Sequence, residues 1–453
     1  MARVCFDITD IVHFAGRSNR LTGIQRVEFN LINLLVAKHG GRDVRCIFWH
    51  PSDKAYYEFD PSAYAQDAEF DAEQLLLRLG VTPPPGRIPS RVHIKSYLRA
   101  HARNKLQRVL LKAKIFILAW LSPDSLNDMG LSPRSSQAAA APISKQKIAA
   151  LSADDRLVHL GSSWFFPQTW QFAARHKQSG GAVFQYIHDL IPVTHPQFMT
   201  AKEPSMFIEW LQQALAYATH FPCNSLWTES DLQRFAAGHD RPCRSYVVPL
   251  AHEFIGFARD SNPEMPERMA SLATRRFVLC VGTIEARKNG LVLLKVWQQL
   301  CKQLGEQVPV LVFAGRYGRI GGAEFRDYLE ATNELAGHVQ IVDGPSDQAM
   351  AWLYRNCLFS TYPSHVEGWG LPVGESAWFG RYCVASQASS IPEVCGDLAG
   401  YVDPTDMKSI KAGILKPILD PAFLQERERA IAAAQLRTWQ DVADDLYASL
   451  VNG

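Results

Sequence analysis

The chain has 453 residues, 47% of them hydrophobic and 20% charged, and its formal net charge is only +2. This composition describes a soluble globular protein and excludes a fibrous or disordered chain. The length exceeds what one hydrophobic core usually organises, so we expect two domains. The nine cysteines include no C-x-x-C pair, which argues against a zinc site or a disulfide framework.

Neither a signal peptide nor a membrane span is expected from the sequence. The N-terminus begins with a short strand-like run, not with a basic segment that leads into a long apolar one. The longest apolar stretch, 115–121, is too short to cross a bilayer. Because the cysteines form no disulfide framework, the reducing cytoplasm is the expected location.

The first half of the chain alternates strand-like and helical or polar sequence. A glycine turn at Gly23 leads into an amphipathic run that continues to residue 35. The strand-like runs are 4–8, 44–49, 157–160, 182–187 and 245–248. This alternation predicts a parallel sheet flanked by helices, the α/β class.

A second series of the same kind follows a Pro-containing linker at 260–266. Its strand-like runs are 277–281, 308–314, 339–342, 358–362 and 382–385, with helical segments such as 291–304 and 348–356 between them. Two doubly wound, Rossmann-like units in tandem make a cleft at their junction, where open parallel sheets bind ligands. We expect domains at 1–255 and 270–425, followed by a C-terminal segment at 426–453.

A basic insertion interrupts the first unit at about 80–150. No Asp or Glu occurs between Glu73 and Asp124. Between residues 87 and 114 the segment carries nine positive side chains, Arg87, Arg91, Lys95, Arg99, Arg103, Lys105, Arg108, Lys112 and Lys114. Interleaved apolar residues favour a basic amphipathic helix, which suits an anionic membrane surface. A solvated helix packed on the domain is the open alternative, and no module for nucleic acid accompanies the charge.

Two adjacent cations, Arg287 and Lys288, follow the strand at 277–281 and precede the next helix. A departing diphosphate needs such donors, because negative charge builds on it as its bond to a sugar breaks. Each well-placed donor lowers that barrier by about 2.7 to 4 kcal/mol. Arginine supplies a bidentate fork and lysine a point charge. Taken alone, an Arg-Lys pair after a strand is usually a solvated loop.

Two acids, Glu367 and Glu375, stand eight positions apart with three glycines and a proline between them. Interior glycine costs roughly 1 kcal/mol in a helix, so Glu367 should lie on a loop and Glu375 just inside the following helix. Two carboxylates with loop amides at a helix N-terminus suit a ligand that has both hydroxyls and phosphates. Sugar nucleotides are such ligands, and two exposed acids beside a turn are the plain alternative.

These segments resemble the family 4 retaining glycosyltransferases, which have the GT-B fold of two Rossmann-like domains facing a cleft. The acids look like that family's E-x7-E motif, and residues 281–289 are similar to its V-G-T-x-E-x-R-K-N variant. Residues 185–196 resemble its H-D-L-x-P-x-x-H-P segment, and Gly23 resembles its glycine loop. The resemblance covers nearly all of 155–405 and about the first 35 residues.

The resemblance implies a role for each site residue. Glu367 would face the donor sugar, Glu375 would hold the ribose, and Arg287 and Lys288 would bind the diphosphate. Thr283 stands where many members have arginine, which leaves open which cation reaches which phosphate. His188 would contact the sugar or the acceptor. The remaining binding positions would be backbone at Gly23, Gly368, Trp369, Gly370 and Leu371.

The sequence is interpreted as a retaining, bacterial mannosyltransferase-like enzyme whose C-terminal helix returns to the first domain. It would move a hexose, with mannose from GDP-mannose as the first choice over UDP sugars, to a hydroxyl of a bacterial surface glycan or lipid-linked oligosaccharide. The chain has no D-x-D pair, so neither a metal nor another cofactor is expected. The basic helix makes the inner face of the plasma membrane a candidate surface. A catalytically silent sugar-nucleotide binding protein, or another GT-B enzyme such as an epimerase or phosphorylase, remains an alternative.

Overall fold

The computed structural model describes residues 3–16, 21, 23–63, 70–81, 107, 109–115 and 141–452. Most of the predicted basic helix, 87–106 and residue 108, lies outside the described residues, as does 116–140. Within the described ranges, every helix is too short or too polar to span a bilayer. All nine cysteines are free thiols.

The first sheet has six strands in the order β4-β3-β2-β1-β5-β6. Its strands are β1 (Val4–Asp7), β2 (Val44–His50), β3 (Ala55–Phe59), β4 (Lys145–Ile148), β5 (Arg156–His159) and β6 (Ala182–Gln185). The β2-β1-β5-β6 part is parallel, whereas β3 and β4 join antiparallel. A parallel pair, β7 (Phe221–Cys223) and β8 (Ser245–Val247), continues beyond β6 through bridges such as Ile187–Cys223.

The second sheet has six strands, all parallel, in the order β11-β10-β9-β12-β13-β14. They are β9 (Phe277–Val281), β10 (Val310–Ala314), β11 (Val339–Val342), β12 (Phe359–Tyr362), β13 (Cys383–Ser386) and β14 (Gly400–Val402). The strands β10 and β12 are buried along their whole length, as expected for parallel strands covered on both faces.

Helices connect the strands in both halves. In the first half they are Thr9–Ala15, Ile24–Asp43, Ala72–Leu79, Pro167–Gln178, Ile191–Thr194, Glu203–Tyr217 and Leu226–Ala237. In the second half they are Gly290–Leu304, Gly322–Ala331, Asp347–Asn356, Leu371–Trp378, Ile391–Cys395, Met407–Leu419, Pro421–Ala433 and Trp439–Asn452. The backbone inside Asn333–Gly337 is left-handed, so that segment is a tight turn and not a regular helix.

The predicted α/β class with doubly wound parallel sheets is what the structure has. Four strands were not predicted: β3, β4, β7 and β14. All are short, and β4 is a polar edge strand whose sequence, KQKI, lacks the apolar run that marks a buried strand. The antiparallel β3–β4 edge also departs from the expected all-parallel first sheet.

The helix Trp439–Asn452 lies on the helix Ile24–Asp43 of the first half. Leu446 is fully buried there, Lys38 pairs with Asp444 at 2.7 Å, and the rings of His39 and Tyr447 stack at 3.6 Å. The end of the chain therefore packs against its beginning. The predicted domain limits stay a prediction.

Candidate functional site

The first part of the site is the turn between β9 and the helix Gly290–Leu304. Gly282 directly follows strand β9 and has φ +132°, a conformation that only glycine adopts without strain. Arg287 and Lys288 lie in the 3-10 turn Ala286–Lys288. Asn289 then adopts a left-handed backbone conformation, and its side-chain amide Nδ2 donates to Pro404 O at 2.8 Å. Both cations are therefore held on a rigid turn.

The second part is the loop 363–370 between β12 and the helix Leu371–Trp378. Gly370 has φ +114°, and Pro372 in the first turn suits the start of the helix. Two serines fix the backbone of Glu367. Its N–H donates to Ser389 Oγ at 2.9 Å, and Ser390 Oγ donates to its carbonyl at 2.9 Å.

The two cations converge on the Glu367 carboxylate. Lys288 Nζ is 2.6 Å from Oε1, and Arg287 Nη1 is 2.7 Å from Oε2. Ser364 donates to Oε1 at 2.5 Å. Burial alone would raise the pKa of Glu367, but the charges of Arg287 and Lys288 and these hydrogen bonds outweigh it and lower the pKa to about 2. Glu367 is therefore ionised at neutral pH.

The cations keep donors for a further ligand. Lys288 uses one N–H on Glu367 and one on Tyr362, whose hydroxyl is 2.5 Å away, so one of its three remains. Arg287 also donates to Val366 O and to Glu285 Oε1, each at 2.9 Å. Burial lowers the pKa of Lys288 even though Glu367 opposes it. An anion placed here would gain charge-assisted hydrogen bonds.

Free backbone amides lie beside this cluster. The N–H groups of 368–371 donate no hydrogen bond to any residue that the structure describes. They lead into the N-terminus of Leu371–Trp378, where the helix dipole favours negative charge. The indole Nε1 of Trp369 is also buried without a partner among the described residues.

The first half of the chain meets this loop at Gly368. A Cβ on Gly368 would lie 1.8 Å from His188 O and 2.9 Å from Asp189 Cβ, so no other residue fits. Ser225 Oγ donates to Gly368 O at 2.9 Å, and Asn224 donates to His188 O at 2.7 Å. These contacts hold the segments that follow β6 and β7 against the loop 363–370.

His188 is buried, and its Nε2 lies 2.6 Å from Leu160 O. The carbonyl only accepts, so Nε2 carries the proton and Nδ1 is an acceptor. Burial lowers the pKa of His188 to about 4, although the bond to Leu160 opposes the shift. The imidazole is therefore neutral at pH 7.

Glu375 lies inside the helix Leu371–Trp378 and does not touch the two cations. Its Oε2 accepts from Tyr354 OH at 2.8 Å, and its other oxygen has no hydrogen bond among the described residues. Burial raises its pKa, and the charge of Arg26 opposes that shift. Gly23 begins the helix Ile24–Asp43 with φ +53° and open space around it, three residues before Arg26.

The structure thus brings Arg287, Lys288 and Glu367 into one cluster, with Gly368 against the backbone of His188. It places Glu375 in a neighbouring position with different partners. Sequence reasoning missed the contacts of Tyr362, Ser364, Asp189, Glu285 and Arg26. The charges of Arg287, Glu367 and Lys288 act on Asp189. Asp189 directly follows the predicted site residue His188, and that position in the sequence is the one signal that could have identified it. Among the described residues, no group of three or more His, Cys, Asp or Glu side chains is arranged to hold a metal.

Comparison with known proteins gives two kinds of relatives. Residues 261–437 match the family model described as glycosyl transferases group 1. The O-antigen chain mannosyltransferase B of Escherichia coli is 31% identical over 171 residues, which cover 38% of this chain and 44% of that protein. The serotype-specific mannosyltransferase WbdA of Escherichia coli is 27% identical over 183 residues, 39% of this chain and 22% of that protein. The chain thus spans less than half of the length of either relative.

Solved structures share the fold over the whole chain. HepE from Anabaena, in complex with UDP and glucose, has a TM-score of 0.58 at 13% identity, with 100% of each chain covered. The sucrose-phosphate synthase of Thermosynechococcus elongatus has a TM-score of 0.57 at 15% identity, again over 100% of each chain. At such identity the likeness shows the fold alone. The predicted GT-B fold is confirmed.

Proposed function

We propose that this protein is a retaining glycosyltransferase of family 4 that moves mannose from GDP-mannose to a hydroxyl of a bacterial surface glycan or lipid-linked oligosaccharide. The observation that carries the proposal is the convergence of Arg287 and Lys288 on the ionised Glu367, beside the free amides of 368–371. The names of the relatives support mannose as the sugar and an O-antigen-like glycan as the acceptor.

The cation cluster would stabilise the leaving group. The bond between the anomeric carbon and the β-phosphate oxygen breaks, and negative charge builds on that oxygen. The spare N–H of Lys288, the Arg287 guanidinium and the loop amides donate to it in a largely buried setting, where fixed donors act strongly. The nucleotide would need no metal for this charge, because two protein cations already face it.

The acceptor oxygen would form its new bond on the face that the nucleotide leaves. The departing phosphate takes the acceptor proton, so no covalent protein intermediate is needed. Glu367, fixed through Ser364, Ser389 and Ser390, would accept hydrogen bonds from donor sugar hydroxyls. The neutral His188 would offer Nδ1 as a further acceptor to the sugar or to the acceptor.

The nucleoside would lie towards Glu375. Its oxygen that is not bonded to Tyr354 would accept from a ribose hydroxyl. The open backbone at Gly23 would let the first domain approach the donor.

The proposal is tested by measuring which sugar nucleotides the full chain turns over. Purified protein is incubated with GDP-mannose, with UDP and ADP sugars as controls, with and without a mannose-containing oligosaccharide acceptor and with EDTA. The proposal expects GDP release that rises with acceptor, survives EDTA, and gives an α-linked product by NMR. Binding of a sugar nucleotide without any turnover would support the catalytically silent alternative, and a changed but untransferred sugar would indicate an epimerase.

A peripheral membrane contact through the basic segment 87–115 belongs to the same proposal. It rests on the sequence, and 87–106 lies outside the described residues. Vesicles containing anionic lipid should retain the protein, and charge reversal at Arg99, Arg103 and Lys105 should release it. Equal retention on neutral vesicles would remove this part of the proposal.

A further inference from the structure

Arg26 reaches from the first half of the molecule to the second. It lies in the first turn of the helix Ile24–Asp43, directly after the Gly23 turn. Gln25 Nε2 donates to Ser162 Oγ at 3.0 Å, which fixes this turn to the end of β5. The Arg26 guanidinium nevertheless lies 3.9 Å from Asp347, on the helix that follows β11.

The Arg26 guanidinium contacts an aromatic ring but makes no hydrogen bond to any described residue. Its central carbon is 4.8 Å from the centre of the Phe254 ring, which is a cation–π contact. Its nitrogens donate no hydrogen bond to any residue in the described ranges. The side chain is only 28% exposed, so its five donors are partly withdrawn from water without a good partner.

Asp347 is a weak partner. At 3.9 Å the pair is beyond hydrogen-bond distance, and the Asp347 side chain is 67% exposed. Exposed pairs of this kind contribute little to stability. Arg26 can therefore leave Asp347 and donate to a better acceptor with almost no loss of stabilising free energy.

The position of Glu375 indicates which ligand group would accept from Arg26. Arg26 acts electrostatically on Glu375, whose carboxylate has one oxygen without a hydrogen bond among the described residues. Phe254, beneath Arg26, packs 6.0 Å from the ring of Tyr354, the partner of Glu375. Phe254 thus connects Arg26 to Tyr354 and so to Glu375, the residue proposed to hold the ribose.

We infer that Arg26 is a nucleotide-binding residue, contributed by the first domain, that donates to the ribose and α-phosphate end of a nucleoside diphosphate. The inference rests on the proposed function and adds a contact from the opposite side of the cleft. Glu375 accepts from the ribose hydroxyls while Arg26 supplies donors. Lys288 and Arg287 act separately at the β-phosphate.

Calorimetric binding of GDP and GMP to the full chain tests this division, with UDP and UMP as a second pair. Arg26→Ala should weaken GDP and GMP binding alike, by about 10- to 100-fold, because it removes charge-assisted hydrogen bonds at the shared end of both ligands. Lys288→Ala should weaken GDP binding much more than GMP binding. Thermal unfolding of each variant shows that it is folded.

Asp347→Asn is the matched control for the ion pair. It removes the partner but keeps Arg26, so nucleotide binding should stay within about twofold of the wild type or become tighter. If Asp347→Asn weakens binding as much as Arg26→Ala, Arg26 acts only as a clamp between domains and the inference is overturned. Unchanged binding by Arg26→Ala overturns it as well and leaves the proposed function standing. A wild type that binds none of the four nucleotides removes both.

Discussion

Glu367 shows how one carboxylate can organise a whole site. Taken by itself, a buried acid has a raised pKa and is costly to ionise. Here two cations and a serine hydroxyl reverse the shift, so the acid stays charged and holds both cations in place. The sequence indicated Glu367, Arg287 and Lys288 from their type and spacing. Their direct contact, and the role of Ser364, follow only from how the two loops fold together.

The proposed function predicts that Lys288→Ala lowers the rate of GDP-mannose turnover by about 10²- to 10³-fold, since the substitution would remove a donor to the departing phosphate. Steady-state kinetics would measure the loss as a change in kcat. Lys302→Ala, at an exposed position on the next helix, is the control and should keep the wild-type rate. An equal loss in both variants, or none in either, would contradict the role given to Lys288.

The lowered pKa of His188 predicts a pH dependence of stability. Its pKa is about 4 in the folded protein and 6.5 in the unfolded chain, so the unfolded state binds more protons between these values. The free energy of unfolding should therefore fall as pH drops from 6.5 to 4, by about 1.4 kcal/mol for each unit of pKa difference. Denaturant titrations of the wild type and His188→Asn measure it.

The variant should lose part of this slope. His159, whose pKa burial lowers to about 3, is one of the groups that contribute to the slope that remains. Identical slopes in the two proteins would show that His188 is not held neutral by the fold.

At the scale of elements, two loops at the carboxyl ends of parallel strands make the site. Gly282 and Gly370 adopt positive φ, and a run of glycines before a helix predicted such a loop. Gly368 is different, because its backbone is unexceptional. Its need for glycine arises from the backbone of His188, which follows strand β6 in the first half and which no local sequence pattern reports.

Gly368→Ala should therefore disturb the junction between the two halves. Its Cβ would overlap His188 O at 1.8 Å, a backbone atom that cannot move cheaply, and overpacking of this kind costs about 1 to 3 kcal/mol. Thermal unfolding and GDP binding should both be impaired. Gly238→Ala, whose nearest contact would be 3.5 Å, should leave both nearly unchanged.

At the scale of the molecule, the two halves are joined in several places. Glu393 of the second half accepts from the N–H groups of Leu226 and Trp227 at 2.7 and 2.9 Å, and so caps a helix of the first half. The helix Trp439–Asn452 returns to the helix Ile24–Asp43. These contacts set how the two sides of the cleft face each other.

We expect Leu446→Ala to destabilise the protein by about 2 to 5 kcal/mol, since Leu446 lies on the terminal helix and is fully buried in the hydrophobic core. Val451→Ala, on the same helix but 44% exposed, should cost far less. Chemical denaturation would compare the two. A similar small effect in both would mean that the terminal helix contributes little to the junction.

The sequence by itself determined the fold class, most strands of both sheets and the residue types of the site, because buried strands, glycine turns and paired charges are local patterns. It did not determine the antiparallel edge β3–β4, whose strands are short and partly polar. Only the tertiary structure decided which charges meet, that Glu375 faces Tyr354 and not the cations, and that Arg26 reaches the second half. Such contacts join residues far apart in the chain, and their geometry depends on how two independently patterned sheets pack.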